Sequence, residues 1–169
     1  MAKNIEIKAI IDDIENLYRK IKKISTEGPE LLIQKDIFYK FPLGRLKLRQ
    51  INDSSSEVIY YIRPNIGGPK TSKYYRLKLS NPKKIEKILK FLLGIKGVVE
   101  KRREVFFIGQ TRVHIDSVDS LGEFIELEVV LQANDSVSYG LDVAKKLIAY
   151  LDIKKNLLIE KSYLEMLRT

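Results

Sequence analysis

The feature that most restricts this chain is what lies on the polar side of its strands. Alternation with a period of two sends successive side chains to opposite faces, and a strand packed on one face usually carries mixed polar groups on the other. Here formal charges fill that face in strand after strand. In Gly44-Arg45-Leu46-Lys47-Leu48-Arg49 the leucines point one way and Arg45, Lys47 and Arg49 the other. Glu6 and Lys8 share a face, as do Ile59, Tyr61 and Arg63, then Arg76 and Lys78, then Lys101 and Arg103, then Arg112, His114 and Asp116. Glu126 and Glu128 alternate with Ile125, Leu127 and Val129.

The elements that carry these faces follow from periodicity and turn signals. Residues 4–11 alternate as a first strand, and Asp12 or Asp13 can cap a helix to about Ile24, with Gly28-Pro29 ending the unit. Two strands between Leu31 and Asn52 are joined at Pro42-Leu43-Gly44, a connection of hairpin length. Strands at 57–63 and 73–79 flank a loop over 64–69, and Asn81-Pro82 starts a lysine-rich helix that Gly94 closes. Strands near 97–108, 111–118 and 122–131 follow, then helices at about 135–151 and 158–167. Strand runs with hairpin connections and associated helices predict an α+β fold. The expected form is one domain, a closed barrel of two similar halves, about 1–93 and 94–169.

Composition removes several chemistries. With no cysteine in 169 residues, disulfides, zinc–thiolate sites, iron–sulfur clusters and thiol nucleophiles are excluded. A metal must rest on oxygen ligands or on His114, the single histidine. No apolar stretch approaches a membrane span and no apolar leader opens the sequence, so a cytoplasmic location without a membrane partner is expected. A net charge of +9 attracts polyanions, whether nucleic acid or a phosphorylated small molecule.

If helices cover the apolar faces, the charged faces look either to water or into a shared interior. In the interior reading Lys8, Lys47, Arg49, Arg63, Arg76, Lys78, Lys101, Arg103 and Arg112 meet Glu6, Asp116, Glu126 and Glu128. So many charges cannot be buried unpaired. A triphosphate supplies about four negative charges for the cations, and divalent ions suit the carboxylates. In the solvent reading the same faces form an exposed basic strip for RNA or another polyanion.

Several segments, in order along nearly the whole chain, resemble the CYTH superfamily, which joins CyaB-type class IV adenylyl cyclases and thiamine triphosphatases. They are Asn4-Ile5-Glu6-Ile7-Lys8, Gln34-Lys35-Asp36-Ile37-Phe38-Tyr39, the segment 44–49, Tyr61-Ile62-Arg63-Pro64, Lys101-Arg102-Arg103, Val113-His114-Ile115-Asp116-Ser117-Val118 and Leu121-Gly122-Glu123-Phe124-Ile125-Glu126-Leu127-Glu128. The resemblance implies an eight-stranded antiparallel triphosphate tunnel using Mg2+ or Mn2+. By position, Lys8, Lys47, Arg49, Arg63, Lys78, Lys101, Arg103 and Arg112 would hold phosphates, with Lys161 closing over the mouth. Glu6, Asp116, Glu126 and Glu128 would hold metal, and Glu6, Lys8 and Asp116 would be catalytic. The cyclase-like branch, converting ATP to cyclic AMP and pyrophosphate, is the nearer match. Hydrolysis of tripolyphosphate or thiamine triphosphate, and a non-catalytic polyanion-binding module, are the alternatives. One departure stands out: the family's glutamate-x-glutamate-x-lysine begins here with Asn4, which offers a carbonyl oxygen but no charge.

Other features have plainer readings. His114 can act as a base or as a hydrogen-bonding interior residue. Tyr60, Tyr61, Tyr74 and Tyr75 can stack on a base or simply pack. Gly67-Gly68 lacks the spacing of a phosphate-binding loop, and Lys83, Lys84, Lys87 and Lys90 read as a solvated helix face.

Overall fold

A computed structural model describes residues 1–168. In chain order it contains β1 (Ala2–Ile10), α1 (Ile14–Ile24), β2 (Glu27–Tyr39), β3 (Arg45–Ile51), β4 (Ser55–Ile62), β5 (Lys70–Lys78) and α2 (Pro82–Leu93). Then follow β6 (Ile95–Ile108), β7 (Thr111–Val118), β8 (Gly122–Leu131), α3 (Val137–Tyr150), a 3-10 turn (Lys155–Leu157) and α4 (Tyr163–Met166). The eight strands close into a barrel in the order β1-β5-β4-β3-β2-β6-β7-β8, and every pairing is antiparallel. The expected α+β barrel is the fold.

Closure decides which side of each strand becomes the apolar core. Ile7, Ala9, Val113, Ile115, Ile125 and Leu127 point outward and pack under α1 through Leu17 and Ile21, and under α3 through Leu147. On the other side of the barrel Ile37, Tyr39 and Leu48 lie beneath Ile85, Leu89 and Leu93 of α2. Each fully buried Ile or Leu contributes roughly 1.5–3 kcal/mol relative to exposure. The hydrophobic core therefore lies between barrel wall and helices, and the opposite strand faces turn inward together. Caps set the helix starts: Asp13 accepts from the Asn16 amide (3.0 Å) and Asn81 from the Lys84 amide (3.2 Å), with Pro82 in the first turn.

Two local expectations are corrected. Gly28-Pro29 does not end a unit but lies inside β2, where the register with β6 shifts between Glu27 and Glu30. Gly28 has φ +106°, and a Cβ there would meet the Val105 carbonyl oxygen at 2.5 Å, so the strand passes this point only with glycine. The helix expected over 158–167 shrinks to α4. Leu158 is instead extended and bridges to Ala9, and the Ile159 amide donates to the Lys8 carbonyl (2.8 Å). A capping box of Ser162 and Glu165 then starts α4.

Candidate active site

The barrel encloses a cavity of about 610 Å3. All nine cations assigned to the inward face from strand parity line it: Lys8, Lys47, Arg49, Arg63, Arg76, Lys78, Lys101, Arg103 and Arg112. Glu6, Glu126, Glu128, His114 and Asn4 line it as well. Lys8, Lys47, Arg63, Lys101 and Arg103 are buried, whereas Arg76 and Lys78 stand at the exposed mouth. Lys161 lies exposed, outside the lining. The tyrosines separate by parity: Tyr61 and Tyr74 face the cavity, Tyr60 meets Phe41 edge-on outside it, and Tyr75 is exposed.

Carboxylates hold these cations in place. Asp36 accepts from Lys47 Nζ, Arg49 Nε and Arg49 Nη2, each at 2.7 Å. Burial alone would raise its pKa, but Arg49 and Lys47 outweigh burial and keep the carboxyl below the ordinary range. Glu57 binds the Arg76 guanidinium at 2.8 and 2.9 Å, Arg112 reaches Glu128 at 2.7 Å, and Arg63 bonds Glu6. Burial, and then Arg49, lowers Lys47 to about 8, while burial and Arg103 lower Lys101 to about 7. Sequence reasoning gave Asp36 and Glu57 no role. In the sequence Asp36 stands out only as part of the 34–39 segment, and Glu57 precedes the Ile59, Tyr61 and Arg63 that define its face.

Asp116, expected as a metal ligand, lies just outside the residues that line the cavity. It is fully buried, and its two oxygens accept from Arg103 Nε (2.5 Å), Arg103 Nη2 (2.6 Å), Lys101 Nζ (2.9 Å) and the Tyr163 hydroxyl (2.8 Å). These four donors tie Asp116 to Lys101, Arg103 and α4. His114, Glu126 and Glu128 instead offer ligand atoms that all lie within 4.8 Å of one another. The His114 Nδ1 is buried without a hydrogen-bond partner, and burial, followed by Arg103, pushes this imidazole down to about 3. It is therefore neutral and able to coordinate. Glu6 differs from its neighbours: burial and then Glu126 raise its carboxyl to about 7.

One end of the cavity is closed. Tyr163 packs there against Phe38, Val99, Val118 and Phe124, and Lys8 Nζ sits 3.6 Å over its ring centroid. Lys70, also buried and unnoticed in the sequence, ties the Ile66 carbonyl (2.9 Å) to the Ile159 carbonyl (3.2 Å) behind this end. Such a site, a closed barrel with an inward wall of paired charges around a blind cavity, is suited to an anion that replaces carboxylates as the partner of buried Arg and Lys.

Comparison with known proteins places that architecture. The family model for the CYTH domain matches residues 2–163, and the chain belongs to this family. A Methanocaldococcus jannaschii protein named "Putative adenylate cyclase" is 29% identical over 170 residues, covering 96% of this chain and 97% of that one. Among solved structures, the PH1012 protein of Pyrococcus horikoshii superposes with a TM-score of 0.84 at 22% identity, over 96% of this chain and 98% of the other. A protein of Vibrio parahaemolyticus, titled a "putative adenylate cyclase", gives 0.83 at 19% identity, over 98% of each chain. At these identities the two structures establish a shared fold.

Proposed function

We propose that this chain is a metal-dependent enzyme that binds the triphosphate group of a small molecule in the barrel cavity and cleaves it there. The observation that carries this reading is the convergence of nine inward Arg and Lys side chains, from β1, β3, β5, β6 and β7 and from Arg63 just after β4, on one enclosed volume. An exposed nucleic-acid strip would spread them over an outer surface. Lys47, Arg49, Lys101 and Arg103 would bind phosphate oxygens around the middle of the cavity, and Lys8 and Arg63 would do so at its closed end. Glu126 and Glu128 fit a divalent ion, Mg2+ or Mn2+, through their oxygens, and the unpartnered Nδ1 of His114 in the same cluster adds a nitrogen donor that suits Mn2+. When bound, such an ion supplies charge neutralisation and polarisation of the phosphoryl group. Asn4 adds a neutral oxygen beside them.

Glu6 is suited to take a proton from the attacking oxygen, since its carboxyl is raised to about 7. In cyclisation of ATP the ribose 3′-oxygen forms a bond to the α-phosphorus while the α–β bridging bond breaks and pyrophosphate leaves. In hydrolysis a water oxygen bonds to the terminal phosphorus and orthophosphate leaves. The name of the Methanocaldococcus jannaschii relative favours the cyclase reaction. Incubation with ATP, tripolyphosphate and thiamine triphosphate, with Mg2+ or Mn2+ and separation of products, tests the proposal. Cyclic AMP with pyrophosphate supports cyclisation and orthophosphate supports hydrolysis; no product from any of the three contradicts an enzymatic role.

A further inference from the structure

The helix α2 carries more apolar surface than the barrel beneath it covers. Ile85, Leu89 and Leu93 pack on Ile37, Tyr39 and Leu48. With Leu89 directed at the wall, Leu92, Ile88 and Phe91 lie roughly 60°, 100° and 160° round one flank, at about 100° per residue. That flank is open: Ile88 is 42% exposed, Leu92 67% and Phe91 89%. The last turn of α2 stands beside the β2–β3 hairpin, where the Lys40 amide donates to the Gly94 carbonyl (3.1 Å). The hairpin adds Leu43, 72% exposed, and Phe41, 38% exposed. Both elements meet at the closed end of the barrel, where Phe38 of β2 and Val99 of β6 pack with Tyr163.

Lysines border this apolar strip. Lys83, Lys84, Lys87 and Lys90 belong to α2, Lys40 precedes the hairpin turn and Lys96 follows the helix. All six are exposed, and none is ion-paired among the described residues. The neighbouring acids are engaged: Glu86 accepts from Gln50 (3.3 Å), Glu100 pairs with Lys35 at 2.7 Å and Glu165 with Arg45 at 3.1 Å. Asp119 and Glu160, also exposed, belong to the β7–β8 turn and the C-terminal segment, not to this face. A solvated lysine face alone needs no partner, but one joined to projecting Phe and Leu side chains marks a contact surface. A second copy docked by the same face would set these lysines against their own counterparts, like charge on like. A nucleic acid would pair with the lysines and leave Leu43, Phe91 and Leu92 in water. These side chains project from a helix and a hairpin tip and line neither the barrel cavity nor the smaller pocket beside α1. They suit a partner that they enter.

We propose that α2 and the β2–β3 hairpin dock this protein on an anionic phospholipid surface, with Leu43, Phe91 and Leu92 entering the headgroup layer and the lysines lying on its phosphates. No helix among the described residues is long and apolar enough to cross a bilayer, and a contact of this kind needs no span. Docking by the closed end leaves the mouth at Arg76 and Lys78 open to solution. The patch shares no residue with the cavity lining, so the proposal is independent of the triphosphate reading.

Flotation with phosphatidylglycerol vesicles and, separately, with phosphatidylcholine vesicles tests this. The wild type is expected to bind the first at low salt, and the second at least about tenfold more weakly. Lys87→Glu should weaken phosphatidylglycerol binding by more than about tenfold, at about fivefold per charge near such a surface. Phe91→Ser and Leu43→Ser should each weaken it about tenfold. Lys145→Glu makes the same charge change on the exposed face of α3 and should leave binding within about twofold. Circular-dichroism melts unchanged from the wild type report that the variants are folded. No binding to phosphatidylglycerol overturns the proposal. So does binding that both serine variants leave unchanged, or that Lys145→Glu weakens as much as Lys87→Glu, because net charge then accounts for it. A dimer in sedimentation velocity that Phe91→Ser dissociates assigns the face to a second copy. Duplex RNA binding that Lys87→Glu abolishes and Phe91→Ser spares assigns it to nucleic acid, and either result overturns the lipid reading.

Discussion

Replacing Asp36 with asparagine removes one negative charge and keeps the shape of the side chain. In the native protein this carboxylate receives three hydrogen bonds of 2.7 Å from Lys47 and Arg49, and all three side chains are nearly inaccessible, at 4% for Asp36 and 11% for each cation. The variant would bury two cations without their partner. Breaking a buried pair in this way costs about 3–5 kcal/mol, which in a domain of this size lowers the melting temperature by roughly 10 °C. Circular-dichroism melts at neutral pH measure it. The same melts with saturating tripolyphosphate and Mg2+ should show a larger ligand-induced rise in Asp36→Asn than in the wild type, because phosphate oxygens then pair with Lys47 and Arg49. Acid dependence gives an independent check. The folded carboxyl titrates below its unfolded value of 3.8, so its stabilisation is present above that pH and is lost as pH falls toward the folded value. The variant should lack this component. A melting temperature within about 2 °C of the wild type, or an equal ligand-induced rise in both proteins, would refute the idea that buried carboxylates hold the cations in place of the ligand.

Asn4→Glu sets a third carboxylate near Glu6 and Glu128, so the metal-free variant should melt lower than the wild type and Mn2+ should raise it more; an unchanged Mn2+ titration counts against this account of Asn4. Tyr163→Phe removes one of four donors to Asp116 and should cost about 1–2 kcal/mol in urea unfolding, with no loss indicating that α4 is not anchored there. With Lys101 at about 7 and Lys47 at about 8, both are partly neutral at pH 8, and an arriving anion favours their charged forms. Triphosphate binding at pH 8 should therefore take up protons, seen by calorimetry in buffers of different ionisation enthalpy, and affinity should fall from pH 7 to 9. Proton release on binding would contradict this.

Much of this was legible in the sequence because the period of a strand is short and the charges keep its parity. Arg45, Lys47 and Arg49 declare their face within six residues, and so do Glu126 and Glu128. Asp36 was hidden because β2 enters through Leu31-Leu32-Ile33, an apolar run with no alternation, and because Lys35 next to it faces out to pair with Glu100 at 2.7 Å. Asp116 shares its parity with His114, and parity alone does not report depth. The hydrogen bond that Tyr163 brings to Asp116 from the far end of the chain, and the clustering of His114 with Glu126 and Glu128, depend on contacts that no local pattern encodes. The place of β1 between β5 and β8 depends likewise on long-range pairing that no local pattern encodes. The capping box at Ser162 and Glu165 was present as a local signal, yet the apolar residues before it extended the expected helix too far.

The central claim is that the cavity holds a triphosphate with its metal, and a crystal structure of the protein with tripolyphosphate and Mn2+ tests it most directly. The account predicts an anomalous Mn2+ peak bounded by His114, Glu126 and Glu128, with phosphate oxygens on Lys47, Arg49, Lys101 and Arg103. Tripolyphosphate bound only to the outer lysines of α2, with Lys47 and Arg49 still on Asp36 and Lys101 and Arg103 still on Asp116, would contradict it.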